Sequence, residues 1–135
     1  MPKVFFCRKV RFTAAHHYRV RAWSPAKNRQ VFGPSAEPHS HHWEITVWLE
    51  GPVDPETGMI ADLAEVDGIL EREIVEPFDQ KDFHGADPEF FARHQPTNEV
   101  LAGYFAEKLA PLLARVRLTR LRVAECDEIF AEWQS

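Results

Sequence analysis

Apolar and polar residues alternate near both ends of this chain and recur at helical spacing in its middle. Val4, Phe6, Val10, Phe12 and Ala14 share one parity, so VFFCRKVRFTAAH reads as a β-strand whose apolar face ends at His16. A second strand begins after Pro38. There Trp43, Ile45, Val47 and Leu49 share a face with His39 and His41, while His42 points the other way. Between the strands, His17 to Val31 reads as basic and irregular, and FGPSAEP as turn-rich. After the turn GPVDPETG, Asp62 with Glu65 three residues on predicts a capped helix. Its stripe is Leu63, Val66, Leu70 and Ile74, and Pro77 is expected to end it. A second helix is expected from Thr97, with Val100, Leu101, Tyr104, Phe105 and Leu109 on one side and an interruption at Pro111. Leu118 to Trp133 returns to strand character, with Leu121, Val123 and Glu125 on one face. The order is ββααββ, an α+β pattern without internal repeats.

Composition narrows this picture. A chain of 135 residues, 44% hydrophobic and 27% charged, fits one domain over residues 1–135 and leaves no room for a second core. No apolar run approaches the ~20 residues of a membrane span, and Met1 to Phe12 alternates with charges, unlike a signal peptide. A soluble cytoplasmic protein is the expectation. Cys7 and Cys126 make neither a disulfide framework nor a Cys-x-x-Cys, so a metal here needs nitrogen or oxygen ligands. The net charge of -5 hides an asymmetry: Met1 to Ala36 carries Lys3, Arg8, Lys9, Arg11, Arg19, Arg21, Lys27 and Arg29 and no acid. A basic segment in an acidic protein points to a local anion site or a solvated basic face. Nucleic-acid binding would call for a basic domain.

Three of the seven histidines crowd the start of the second strand. Zinc accepts neutral imidazole, and catalytic zinc commonly has three protein ligands and one open position. His16, His39 and His41 supply that count. Such pairs also occur on ordinary surfaces, so the residues alone leave open a ligand set or a mixture of core, surface and catalytic histidines.

The surrounding motifs bear on that choice. FTAAH, PHSHHW, DPETGMIADLAEV, FDQKDF, PTNEVLA and VAECDE occur in an order that resembles the 6-pyruvoyltetrahydropterin synthase and 6-carboxytetrahydropterin synthase family over nearly the whole chain. The family's Phe-x-Ala-Ala-His is similar to Phe12–His16, its His-Gly-His to His39–His41, and its Pro-Thr-x-Glu to Pro96–Glu99. The resemblance implies the T-fold, in which ββααββ subunits with two helices on one sheet face assemble around a barrel. It also implies a homohexamer of two trimers, a pocket at a subunit interface, and Zn2+ on His16, His39 and His41. The implied substrate is a reduced pterin, 7,8-dihydroneopterin triphosphate or a relative, in tetrahydropterin or queuosine-precursor biosynthesis. On this likeness Glu125 is the pterin anchor, Thr97 and Glu99 border the site, and Arg19, Arg21, Lys27 and Arg29 are placed to screen a triphosphate. Thr97 as a helix N-cap and Glu99 as a first-turn acid stand as the alternative.

Two positions depart from the family. Its basic cysteine corresponds to Ser35, four residues before His39, and its Asp-His pair to Asp79-Gln80. A serine hydroxyl is far less acidic than a thiol of pKa about 8.5, and an amide does not titrate. Glu37, His42 and His84 are the candidate substitutes, Glu37 being the residue type with which some members shorten the dihydroneopterin side chain. The function classes are therefore a zinc-dependent pterin lyase, a non-catalytic pterin- or purine-binding relative that keeps zinc, and a scaffold with structural histidines.

Overall fold

The amino-terminal alternation folds as strand β1 (Phe5–His16), whose even positions become buried from Phe12 through Ala14 to His16 while its odd positions are exposed up to Arg11 and half-buried at Thr13 and Ala15. The computed structural model describes residues 3–113 and 115–135; Met1 and Pro2, at the head of the alternating stretch, and Ala114 lie outside the described residues. β1 pairs antiparallel with β2 (His39–Glu50), in a register that sets His16 opposite His39 and Ala14 opposite His41. β2 pairs with β4 (Arg117–Ala124), and β4 with β5 (Phe130–Gln134), both antiparallel. The two-residue β3 (Lys81–Asp82) runs parallel to Ala14–Ala15, giving the sheet order β3-β1-β2-β4-β5.

His17 to Val31 is not irregular throughout, because helix α1 spans Pro25–Phe32. Ser24 caps it by accepting from the Lys27 N–H, and Pro25 takes the first turn, where its missing N–H costs nothing. α1 lacks an apolar stripe: its buried residue is Asn28, whose side chain accepts from Val20 N–H and donates to the Val20 carbonyl. A 3₁₀ turn, Gly33–Ala36, follows.

Asp62 caps α2 (Leu63–Leu70) as its spacing predicts, accepting from Ala64 and Glu65 N–H groups. Pro77 does not end the run. A π-helical turn (Glu71–Val75), in which Glu76 N–H reaches the Glu71 carbonyl, leads into α3 (Glu76–Phe78). The wider turn relieves the clash a proline makes with the carbonyl four residues back. Leu63 is exposed, and the buried stripe is Val66, Ile69, Leu70, Ile74 and Phe78. Two short helices, α4 (Phe83–Ala86) and α5 (Pro88–Phe91), are capped by Asp82 and Asp87. α6 (Asn98–Leu109) starts at the Thr97 cap and ends short of Pro111.

The helices bury Val66, Leu70, Ile74, Leu101, Phe105 and Leu109 against Phe12, Trp43, Ile45, Val47, Leu121 and Val123 of the sheet, forming one core cluster. The other sheet face is polar. There Lys9 and Arg11 pair with Glu44, and Arg120 and Arg122 grip Glu132, whose carboxyl they pull down to about 2. No helix among the described residues is long and apolar enough to cross a membrane.

Candidate active site

Strand register builds the centre of the site. His16 ends the buried face of β1, and His39 and His41 open the same face of β2, so three imidazoles converge with ligand atoms all within 4.8 Å of one another. Backbone carbonyls orient two of them: His16 Nδ1 lies 2.8 Å from the Pro96 carbonyl, and His39 Nδ1 2.8 Å from that of Glu37. Each carbonyl accepts from Nδ1–H, which leaves Nε2 as the bare lone pair. His16 Nε2 is fully buried with no hydrogen-bond partner. Burial, opposed by the Pro96 carbonyl, holds the His16 pKa down to about 4, and burial lowers that of His41 as well. These are neutral imidazoles at pH 7, the form that ligates a metal.

Glu125, just past β4, points into this cluster as its parity implies. Its Oε2 lies 3.0 Å from His41 Nε2, an approach without hydrogen-bond alignment, and its Oε1 accepts from Asn98 Nδ2 at 2.5 Å. Asn98 carries no signal in the sequence beyond its place in the Pro-Thr-x-Glu motif, yet it is buried, and its Oδ1 has no partner. Tyr18, also unforeseen, packs edge-on to His16 at 5.1 Å. Burial first, then Glu125 and Glu99, push its hydroxyl up to about 12, so it stays a donor. Thr97 does cap α6, its hydroxyl oxygen accepting from Val100 N–H, and Glu99 is exposed in the first turn.

Of the candidate proton-transfer residues, Asp79 and Gln80 touch each other, Gln80 Nε2 donating to Asp79 Oδ1 at 3.4 Å. Ser35 sits in the 3₁₀ turn, where its carbonyl accepts from Tyr18 N–H, and the Glu37 side chain is exposed. Asp79 and Gln80 bind the edge of β1 instead. Asp79 Oδ1 accepts from Thr13 N–H at 2.9 Å, and Gln80 N–H donates to the Thr13 carbonyl from a left-handed conformation, φ 63°. Among the described residues no hydrogen bond joins either of them to Ser35. His42 turns to the open sheet face, 3.0 Å from the Thr13 hydroxyl. His84 stacks on His17 beside Asp82, and burial, then His17, lowers its pKa. Arg19, Arg21, Lys27 and Arg29 are all exposed, and none has an ion-pair partner among the described residues.

A cavity of about 830 Å³, lined by Val53, Met59, Ile60, Leu112 and Val116 among others, lies beyond the opposite end of β2. None of the site residues lines it, so its size says nothing about the histidine cluster.

A helix-backed, mainly antiparallel sheet of this topology, with three histidines converging at one end, defines a T-fold protein. Residues 6–135 match the family model described as 6-pyruvoyl tetrahydropterin synthase. The human 6-pyruvoyl tetrahydrobiopterin synthase is 31% identical over 122 residues, which cover 89% of this chain and 83% of the human one. The Drosophila melanogaster protein of the same name is 30% identical over 119 residues, covering 87% and 70%. The solved structure of Caenorhabditis elegans 6-pyruvoyl tetrahydropterin synthase matches with a TM-score of 0.88 at 28% identity, covering 100% of this chain and 97% of that one. The chain belongs to the 6-pyruvoyl tetrahydropterin synthase family, a family of lyases.

Proposed function

We propose that this chain is a zinc-dependent pterin lyase of the 6-pyruvoyltetrahydropterin or 6-carboxytetrahydropterin synthase type, acting on 7,8-dihydroneopterin triphosphate or a related dihydropterin. The observation that carries this reading is the convergence of His16, His39 and His41 beside the Glu125 carboxylate. The residues fit zinc: His16 offers a buried, unpartnered Nε2, and carbonyls fix the tautomers of His16 and His39. When bound, zinc supplies Lewis acidity toward the side-chain oxygens of the pterin.

This chain's own residues do the rest. Glu125, steadied by Asn98, presents a carboxylate oxygen to the ring N–H and exocyclic amino group of a pterin edge. Thr97 and Glu99 border the anchor, and the Tyr18 hydroxyl is a donor next to it. The unpaired cations Arg19, Arg21, Lys27 and Arg29 suit a triphosphate. Asp79 and Gln80 bind the β1 edge at Thr13 and make no hydrogen bond to Ser35 among the described residues, which fits a site completed by a neighbouring subunit in a hexamer of two trimers. Proton transfer must bypass Ser35 and Gln80. Glu37, two residues from His39 and carrying an exposed carboxylate, is the first substitute, and a glutamate base favours cleavage of the dihydroneopterin side chain. His42 and His84 come next.

The replacement of both family proton-transfer residues favours a second reading, a non-catalytic pterin- or purine-binding relative that keeps its metal and anchor. Incubating the zinc-loaded protein separately with 7,8-dihydroneopterin and its triphosphate, with products identified by mass, decides between the two. A new pterin product establishes the lyase and names its reaction. Pterin binding without turnover establishes the binding protein.

A further inference from the structure

His17 lies one residue beyond the buried end of β1's apolar face, with its side chain on the opposite side of the strand from His16. There the parallel pairing with β3 brings Asp82 beside Ala15, and the first turn of α4 adds His84. The three side chains form a second cluster whose ligand atoms all lie within 4.8 Å of one another. His17 Nδ1 is 3.9 Å from Asp82 Oδ2, and His84 Nδ1 is 3.4 Å from Asp82 Oδ1. Both Nδ1 atoms are shielded from solvent and have no hydrogen-bond partner.

These separations are long for hydrogen bonds. They are close to the spacing of ligands around an ion: metal–nitrogen and metal–oxygen bonds of about 2.0–2.2 Å in a tetrahedron put neighbouring donors roughly 3.3–3.6 Å apart, which the His84–Asp82 separation meets and the His17–Asp82 separation exceeds by a few tenths of an ångström. We infer that His17, Asp82 and His84 form a second metal site, distinct from the His16–His39–His41 cluster, for a divalent first-row transition ion. Two imidazoles and one carboxylate suit zinc, cobalt or nickel, whereas magnesium and calcium call for oxygen donors throughout. The rings stack at 4.1 Å with 21° between their planes, so binding turns one ring about its Cβ–Cγ bond until both lone pairs aim at one point. Asp82 Oδ1 already accepts from the His84 N–H, which fixes the carboxylate while leaving Oδ2 and a second lone pair on Oδ1 to face the ion.

The test is metal content in a zinc solution buffered at micromolar free ion. Wild type is expected to hold two zinc ions per chain. Asp82→Asn keeps an oxygen to cap α4 while removing the charge, and should hold one; His84→Gln, which leaves the cap residue untouched, should agree. The variant carrying both His39→Ala and His41→Ala should retain one ion. When that variant is loaded with cobalt, its visible absorption should disappear on adding Asp82→Asn. A single ion per wild-type chain, or two ions that persist in both Asp82→Asn and His84→Gln, overturns the inference. The metal of the pterin site is tested separately, by the loss of one zinc ion in His39→Ala and in His41→Ala.

Discussion

Oε2 of Glu125 lies 3.0 Å from Nε2 of His41, while Asn98 Nδ2 bonds the second carboxylate oxygen at 2.5 Å. A carboxylate so held, with 12% of its side chain exposed, has little water to lose when a ligand arrives and is already aimed. Glu125→Gln keeps the shape and removes the charge. It should weaken dihydropterin binding by about 1.5–3 kcal/mol, roughly tenfold to more than a hundredfold, the loss expected for a hydrogen bond to a charged group. Zinc content should be unchanged. Calorimetric titration checks this, and equal affinities in the two proteins would remove Glu125 as the anchor.

The cost of burying His16 predicts both a metal effect and a pH effect. The unfolded imidazole titrates at its ordinary 6.5 and the folded one at about 4. Between those values the unfolded chain binds the extra proton, so this group makes metal-free protein lose stability as pH falls from about 6.5 to 4 and contributes no slope above. Thermal melts of the metal-free protein should follow that course, and His16→Gln should flatten it. His39→Ala and His41→Ala should each remove one equivalent of zinc, whereas His42→Ala, on the open sheet face, should remove none. Full zinc occupancy in both alanine variants would sink the ligand assignment.

The three histidines were legible because strand parity is a local property: once β1 and β2 are recognised, a period of two fixes which side chains share a face. Glu125 and the Asp62 and Thr97 caps were legible for the same kind of reason. Helix α1 was not, because its buried residue is Asn28 and no apolar stripe marks it, although Ser24-Pro25 carries the cap signal. The π turn before Pro77 depends on packing that no short pattern encodes. Asn98 and the Pro96 carbonyl enter the site through contacts long in sequence, 27 residues from Asn98 to Glu125 and 80 from His16 to Pro96. Asp79 and Gln80, which the motif resemblance sets at a proton-transfer pair, bind the β1 edge within the chain, a distinction that a motif cannot express.

The sheet ends in a two-residue strand on one side and in β5 on the other, where Ile129 and Phe130 are 52% and 46% exposed. Open edges bearing apolar side chains invite pairing with another copy. A homo-oligomer, expected to be a hexamer, should appear by light scattering, and Phe130→Lys should shift the mass toward monomer. A monodisperse wild-type monomer at micromolar concentration contradicts the expectation.

The last prediction concerns the proton path. On the proposed reading Ser35 and Gln80 replace the cysteine and histidine of the family resemblance, so the wild-type protein should be slow in the standard synthase reaction. Gln80 sits at φ 63°, a left-handed conformation in which histidine is better tolerated than most residues, so Gln80→His is compatible with the backbone. Combined with Ser35→Cys, it restores a thiol and a titratable imidazole. General acid–base groups of this kind typically contribute 10²–10⁴-fold, and the double variant should gain on the order of a hundredfold if the oligomer brings the two positions together. Each single variant should gain much less, since each restores half of the path. Glu37→Gln supplies the complementary measurement. If Glu37 is this chain's own base, that change should abolish wild-type turnover while zinc content stays constant, because only the Glu37 carbonyl, and not its side chain, holds His39. Rapid wild-type turnover indifferent to Glu37→Gln would exclude Glu37 and pass the role to His84 or His42. If neither wild type nor the restored double variant turns over while both bind pterin, the protein is a binding module.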